Sequence, residues 1–368
     1  MIRGLSVRKY YIDNLRTFCI LLLIPFHTAM IYNNWGEVFY VNATKEYVPS
    51  LFVTIVYPWW MTLLFTMAGM SSYYALQMKS TKQYLSERVH KLLIPLCVAL
   101  VVLIPPQTYI ADVFHNGYSE TLWQHYSIYY TRITDLTGAD GGFTPGHLWF
   151  VLYLFCISVI MTPFMNKYMH AKKKWPVEKI SVIGLILLFA IVLICTPILE
   201  IGKSVGESIA CFAIGFFVLS NEAVQTKIMR YCWLFGGLFF SSMMVRIWRF
   251  QTDRLSGLLC EVEYRFYLWM GILFLLGFAY KHWNRTTPML TSMAKGSFAL
   301  YYFHQTVLVI IAYFVVRNVS NICMQIVIII GLTFLTCIVL YEISRRFRIT
   351  SFLFGIKYED HKCLCKNK

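Results

Sequence analysis

The stretch DNLRTFCILLLIPFHTAMIY, from Asp13 to Tyr32, is apolar enough to enter a bilayer, yet it contains Arg16 and His27. At ~100° per residue, the eleven steps between these two bring the second side chain to within about 20° of the first, about 16 Å further along a helix. Ionisable residues inside a membrane are costly and usually functional. The stretch therefore predicts a membrane helix with a guanidinium and an imidazole on one face. Asp13 is placed to pair with Arg16 at i,i+3.

Each of the two residues also has a structural interpretation. Arg16 could anchor the helix end, with its charge at the membrane surface. His27 could be a packing residue held by an interhelical hydrogen bond. Their common face favours a shared function over two unrelated structural roles.

The composition indicates a polytopic membrane protein. Of the 368 residues, 58% are hydrophobic and only 14% are charged, which is typical of a chain with many spans. The formal net charge is +15, but the basic residues lie in short segments between apolar stretches, where they set topology. We therefore do not expect nucleic-acid binding.

The apolar segments predict an all-α fold with about ten transmembrane helices. They cover residues 15–33, 51–76, 92–111, 147–166, 180–198, 206–220, 231–249, 264–281, 297–316 and 322–343. Most lysines and arginines fall in alternate connecting segments, so the positive-inside rule places both termini in the cytoplasm. We expect one transmembrane domain over 1–350 and a cytoplasmic tail over 351–368. Three arginines after the seventh span depart from the rule, which indicates either an error in the short sixth span or a basic patch facing an acidic ligand.

Further polar side chains stand at the predicted mouths of spans. Arg88 and Lys91 precede the third span on its inner side, as ordinary cytoplasmic charge or as a site for a phosphate-bearing ligand. His147 and Trp149 open the fourth span on its outer side. Tryptophan is typical of a membrane interface, whereas the histidine is placed to contact a substrate.

The ninth span contains His304 and Gln305 about two helical turns from its inner end. A second buried histidine favours a polar internal cavity, and an interhelical hydrogen bond is the alternative. The longest outer connection, 112–146, contains Trp123 and several tyrosines. They either form an interfacial belt, which we favour, or stack against sugar rings.

Four segments together resemble the acyltransferase family 3 membrane proteins. Arg16 and His27, with ten residues between them, fit the signature of that family's first helix. Three more segments fit in the same order, namely RVHKLLIP from Arg88, GHLWFVLYLF from Gly146 and YYFHQTVLV from Tyr301. The last two are particularly similar to the glucan biosynthesis protein C branch.

The resemblance implies an integral membrane O-acyltransferase, in a cell membrane and most typically the bacterial cytoplasmic membrane. Such an enzyme takes an acyl group, such as acetyl or succinyl, from cytoplasmic acyl-CoA and passes it to a hydroxyl of an extracytoplasmic or lipid-linked carbohydrate. The resemblance implies that His27 and Arg16 are catalytic and that Arg88 and Lys91 bind the donor. Lys91 departs from the family, in which many members have arginine here. It keeps the charge but loses the bidentate fork.

A mechanism follows as a hypothesis. His27 takes the acceptor proton as general base, and the hydroxyl attacks the thioester directly. In this hypothesis the attack is direct, and a covalent intermediate is less favoured. We expect His147, Trp149, His304 and Gln305 to support the site or contact the acceptor. The expected partners are acyl-CoA, the acceptor and membrane lipids, and we expect no metal.

A secondary transporter or flippase for a lipid-linked or small polar substrate is the competing interpretation. It would also have intramembrane charge and many spans. Neither an inverted repeat nor a set of acidic residues within the spans is visible in the sequence, and coupled transport typically uses both. The sequence therefore favours the enzyme.

Overall fold

The computed structural model describes residues 9–133, 137–201, 203–252, 254 and 256–358. Its helices, in chain order, are α1 (Tyr10–Leu21), α2 (Leu23–Met30), α3 (Tyr47–Met78), α4 (Thr81–Arg88), α5 (Ile94–Val102), α6 (Ile104–His115), α7 (Leu122–Thr131), α8 (Trp149–His170), α9 (Val182–Leu187), α10 (Phe189–Cys195), α11 (Val205–Ile214), α12 (Glu222–Arg230), α13 (Cys232–Thr252), α14 (Gly257–His282), α15 (Pro288–Asn318), α16 (Ile322–Arg346) and α17 (Arg348–Leu353).

Short elements join these helices. Val89–Leu93 and Gly215–Leu219 are π-helical turns, and Gly146–Leu148 is a 3-10 turn. The strands β1 (Glu200–Ile201) and β2 (Lys203–Ser204) form a two-residue antiparallel ladder in which Glu200 pairs with Ser204. Over the described residues the fold is thus essentially all-α, as the sequence predicts.

Six of the helical segments are long and apolar enough to cross a membrane. They coincide with predicted spans two, three, four, eight, nine and ten. The bent pair Val205–Leu219 and Glu222–Arg230, at 100° to each other, would make a seventh. This confirms a multi-pass membrane protein. Predicted spans one, five and seven correspond to helices that are broken, shorter or more polar, so the count of ten and the cytoplasmic termini stay predictions.

The chain divides into two compact units. The first unit comprises Met1–Cys19, Thr54–Glu87 and Tyr153–Thr291, and the second comprises Ile20–Val53, Arg88–Leu152 and Ser292–Lys368. The boundaries fall inside α1, α3, α4, α8 and α15, so these five helices each contribute residues to both units.

In the first unit, α3 packs against α11 and against the π-helical turn that follows α11. A glycine lies at each of these two crossings. A Cβ atom on Gly69 would overlap the carbonyl oxygen of Phe212, and one on Gly215 would overlap that of Thr66. Small residues at such crossings let two membrane helices approach backbone to backbone. The two glycines therefore set how closely these elements pack.

The first unit also contains buried ion pairs between helices. A guanidinium nitrogen of Arg246 lies 3.3 Å from a carboxylate oxygen of Glu263, and one of Arg265 lies 3.0 Å from Glu207. Within its own helix, Arg265 also pairs at 2.8 Å with the half-exposed Glu261. Charges removed from water need such partners. These contacts give Arg246 and Arg265 a role inside the unit, which favours internal pairing over an external basic patch.

In the second unit, the long connection over 112–146 is organised around a buried carboxylate. Asp112 is only 2% exposed, and it accepts a hydrogen bond of 2.7 Å from Asn116. Its oxygens lie 3.4 Å from Arg132 and 3.5 Å from Nδ1 of His125, which is fully buried. Gly141 has φ +84°, and a Cβ there would press on Asp112. The connection therefore has its own polar core.

The opposite face of α7 is exposed and aromatic. Trp123 is 81% exposed, and its ring is stacked on that of Tyr126 with centroids 5.9 Å apart. The Tyr126 hydroxyl donates to the carbonyl oxygen of Val101. An interfacial belt and a sugar platform both need exposed rings, so the face is compatible with either predicted use.

Candidate active site

Three histidines meet in the second unit, and each comes from a different element. His27 lies in α2, His147 in the 3-10 turn before α8, and His304 in α15. The ring centroids of His27 and His304 are 5.3 Å apart, and those of His147 and His304 are 5.0 Å apart. The structure thus brings together three residues that the sequence singles out at widely separated positions.

The three rings differ in accessibility. His304 is 0% exposed and His147 is 5% exposed, whereas His27 is only partly buried. A group that exchanges a proton with a substrate must be reachable. Among the three, His27 is therefore the ring best placed to meet a reactant.

Hydrogen bonding fixes the tautomer of a neutral His304. Its Nδ1 lies 2.7 Å from the carbonyl oxygen of Tyr301 and 3.2 Å from that of Leu300. Because a carbonyl oxygen only accepts, Nδ1 carries the hydrogen, and Nε2 of the neutral ring keeps a lone pair. Within the described part of the chain, this Nε2 is buried and has no hydrogen-bond partner.

Two hydrogen bonds join His147 to α15, one that His147 donates and one that it accepts. Its Nε2 donates to the carbonyl oxygen of Tyr302 at 3.0 Å, and the Tyr301 hydroxyl donates to the carbonyl oxygen of His147. Gly146 makes the turn possible because its φ is +51°, and a Cβ there would also crowd Ile104 and the Tyr40 hydroxyl. The turn therefore holds His147 firmly against the helix that carries His304.

A phenylalanine also lies beside His27. The ring of Phe39 is nearly parallel to the His27 ring, at 12° with centroids 6.0 Å apart. The main chain of Phe39 is held at both polar groups: its carbonyl oxygen accepts from Nε2 of His115 at 2.7 Å, and its N–H donates to Asn42 at 3.1 Å. Sequence reasoning missed Phe39, because an aromatic residue in a loop has no periodic pattern to mark it.

The other predicted acceptor residues flank the histidines along the chain. Gln305 follows His304 and is buried, and its Oε1 has no hydrogen-bond partner among the described residues. Trp149 opens α8 two residues after His147 and is partly exposed. One residue further along α15, Thr306 accepts a hydrogen bond of 2.7 Å from Gln107 of α6.

Arg16 belongs to the first unit. One guanidinium nitrogen donates to the Ser71 hydroxyl at 2.8 Å, and another lies 3.3 Å from a carboxylate oxygen of Asp13. The i,i+3 pair with Asp13 is therefore confirmed, while Ser71 is a partner that sequence reasoning missed. The common face of Arg16 and His27 stays a prediction.

Arg88 and Lys91 lie where α4 passes into a π-helical turn. Arg88 is the last residue of α4, and Lys91 is an exposed member of the turn Val89–Leu93. Turns of this kind are frequent at functional sites. At 1.5 Å per residue, Arg88 precedes Gln107 by roughly 28 Å along these helices.

Across the described ranges, no group of three or more His, Cys, Asp or Glu side chains is arranged to hold a metal ion. The three rings can accept and pass on a proton, because each neutral imidazole has one ring nitrogen with a lone pair.

Comparison with known proteins supplies the chemistry. Residues 9–342 match the family model described as the acyltransferase domain. Relatives named Glucans biosynthesis protein C occur in Escherichia coli O139:H28 (strain E24377A / ETEC) and in Shigella dysenteriae serotype 1 (strain Sd197). Each is 24% identical over 397 residues, which cover 96% of this chain and 97% of the relative. No solved structure matches the chain significantly. The chain therefore belongs to this acyltransferase family, and it is a multi-pass membrane acyltransferase.

Proposed function

We propose that the protein moves an acyl group, such as acetyl or succinyl, from cytoplasmic acyl-CoA to a hydroxyl of an extracytoplasmic or lipid-linked carbohydrate. His27 is the general base. The observation that supports this most strongly is that His27 is the accessible ring of a three-histidine group in a chain of acyltransferase ancestry. The name of the glucan biosynthesis relatives supports a glucan as the acceptor class.

The reaction balances without further reagents. A ring nitrogen of His27 takes the proton of the acceptor hydroxyl, and the oxygen bonds to the thioester carbonyl carbon. The carbon–sulfur bond then breaks, and the CoA thiolate takes the proton from the His27 imidazolium. General-base help of this kind is typically worth ~10²–10⁴ in rate.

The donor is held from the cytoplasmic side. Arg88 and Lys91 bind the CoA phosphates, because guanidinium and ammonium groups form charge-assisted hydrogen bonds with phosphate oxygens. Arg16 holds the CoA arm or polarises the thioester, with its guanidinium oriented by Asp13 and Ser71.

The acceptor enters from the other side. His147, Trp149 and Gln305 contact it or line its approach, since His147 lies in the turn just before α8 and Trp149 begins α8 at its proposed outer end. An indole ring is suited to stacking on a sugar, and an amide oxygen accepts hydrogen bonds from hydroxyls.

The proposed topology has ten spans in a bacterial cytoplasmic membrane, with both termini in the cytoplasm and a transmembrane domain over 1–350. The tail over 351–368 begins with residues that pack on the fold: Ser351 is buried, and a Cβ on Gly355 would touch Pro95 of α5. The remainder of the tail, residues 359–368, lies outside the described part of the chain.

The test is chemical. Purified protein in lipid nanodiscs is given labelled acetyl-CoA or succinyl-CoA and a linear or cyclic glucan, and the products are analysed by mass spectrometry. Surface glycans and lipids of cells with and without the protein are compared in parallel. We expect an ester-linked acyl group on the glycan fraction that depends on the protein. Identical glycans and lipids in the two cell lines, with no transfer in vitro, would refute the proposal.

A further inference from the structure

His27 touches two side chains that favour its protonated form. One is His304, whose Nε2 lone pair is buried and has no partner within the described residues. The other is Phe39, whose ring lies nearly parallel to the imidazole at 6.0 Å. A lone pair and an aromatic face both attract a cation. Both neighbours can therefore stabilise the positive charge that develops on His27 when it takes a proton.

The lone pair of His304 is unusual in itself. A buried acceptor without a hydrogen bond destabilises the folded state, and native proteins keep few of them. The Nδ1–H of His304 is committed to main-chain carbonyls of its own helix, so the ring cannot turn to satisfy Nε2 without losing that bond. A proton arriving on the neighbouring His27 would give the lone pair a cationic neighbour.

Phe39 is held in place by its main chain and not by its ring alone. Hydrogen bonds from His115 and to Asn42 fix the backbone on both sides of the side chain. The ring is also nearly buried. A cation–π contact with a desolvated ring is stronger than one in water, so the fixed position of Phe39 matters for the charge on His27.

We propose that His304 and Phe39 are positioning residues that orient the His27 imidazole and stabilise its imidazolium as it takes the acceptor proton. This rests on the proposed function, in which His27 is the base. His304, backed by His147, is the titratable group that faces His27 from α15. The segment after α2 contributes Phe39, and α16, which packs along α2, contributes the uncharged Gln325 on Tyr32.

Removing either neighbour should weaken the base. The variant His304→Phe keeps a ring of similar shape but removes the lone pair, and we expect kcat to fall by about 10- to 100-fold. Phe39→Leu keeps an apolar side chain but removes the aromatic face, and we expect a fall of about 3- to 30-fold. The KM for acyl-CoA should change little in both, because neither residue binds the donor.

Two further variants separate positioning from folding. Phe39→Tyr keeps the aromatic face and should retain most of kcat. Phe303→Leu is a matched control in α15: it removes a buried ring that packs on Phe354 with centroids 4.8 Å apart, so it lowers stability without touching His27. A thermal melt of each variant in nanodiscs shows how much folded protein enters each assay.

The decisive readout does not require transfer. Diethyl pyrocarbonate reacts with neutral imidazole, and mass spectrometry of the peptide containing His27 gives the pH at which that ring becomes reactive. If His304 and Phe39 stabilise the imidazolium, this onset moves to lower pH in His304→Phe and Phe39→Leu but not in Phe39→Tyr or Phe303→Leu. An unchanged onset in the first two, in folded protein, would overturn the inference. Absence of transfer by the wild type would count against the proposed function instead.

Discussion

The ring of His304 stacks on the ring of His27 at an angle of 30°, with centroids 5.3 Å apart. One ring is fully buried and has its tautomer fixed by its own helix, while the other is reachable. The pair therefore combines a buried ring in a fixed position, that of His304, with a ring that a substrate can reach, that of His27. In an acyltransferase, this division suits a base that must take a proton and give it back within one turnover.

Replacing Arg88 and Lys91 together by glutamine should raise the KM for acyl-CoA. Each lost charge-assisted hydrogen bond to a phosphate is worth roughly 1.5–3 kcal/mol, or about 10- to 100-fold in affinity. Losing both residues should therefore raise KM by about 100-fold or more, with kcat nearly unchanged. Initial rates measured against acyl-CoA concentration test this. Lys79→Gln is the matched control, since the ammonium of Lys79 is already paired with Glu87 at 2.6 Å. An unchanged KM in the double variant would remove these residues from the donor site.

Free CoA should stabilise the purified protein against heat. A ligand at about 100 times its Kd stabilises the folded state by roughly 2.7 kcal/mol. We expect a higher melting temperature with CoA than with pantetheine, which lacks the phosphates, and a smaller difference in the variant lacking Arg88 and Lys91. If CoA leaves the melting temperature unchanged and a lipid-linked sugar raises it, the result would favour a transporter.

Introducing a side chain at Gly69 should destabilise the first unit. Its Cβ position is occupied by the main chain of α11, so Gly69→Val forces the helices apart, at an overpacking cost of about 1–3 kcal/mol. Thermal unfolding in detergent measures the effect. Gly237→Ala in α13 is the control, because nothing lies within 4 Å of its Cβ position. Equal melting temperatures for Gly69→Val and wild type would contradict the backbone contact.

Stability of the second unit should fall as the medium becomes acidic, partly through His125. Burial lowers the pKa of His125, and the nearby Asp112 carboxylate offsets this only in part. The folded state therefore binds this proton less readily than the unfolded chain, whose histidine titrates near pH ~6.5. The stability contributed by neutral His125 is complete above that pH and is lost as the pH falls below it.

The measurement for His125 compares melting temperatures at pH 7.5 and 5.5. His125→Gln removes the titrating ring, so the drop between the two pH values should be smaller than in the wild type. His170→Gln, at an exposed histidine, should leave the drop unchanged. If His125→Gln and wild type lose equal amounts on acidification, burial of this ring does not govern the effect.

Much of the membrane architecture was predictable, because long apolar runs have few alternatives. The helices α3, α8, α14, α15 and α16 coincide with such runs. The interrupted segments were harder. The run over 180–198 forms α9 and α10, which break at Leu188, and the sixth span ends in a π-helical turn before the 100° bend to α12. Such breaks depend on tertiary contacts that no local pattern encodes.

The site was predictable in its residues but not in its contacts. Unusual residue types in apolar runs marked His27 and His304, and a position at the predicted mouth of a span marked His147. Their stacking was not predictable, since ring contacts depend on how α2 and α15 pack. Phe39 and Ser71 gave no sequence signal, being ordinary residues beside an unusual one. Ion pairs between residues far apart in the chain, such as Arg265 with Glu207, were likewise not predictable from the sequence.

The most direct test of the central claim is the rate of acyl transfer from labelled acyl-CoA by His27→Ala. It is measured in nanodiscs at equal amounts of folded protein. CoA must raise the melting temperature of the variant as it does that of the wild type, which shows that the donor site is intact. We expect transfer to fall by about 10²–10⁴-fold. Near-normal transfer by a folded, CoA-binding His27→Ala protein would contradict the assignment of His27 as the base.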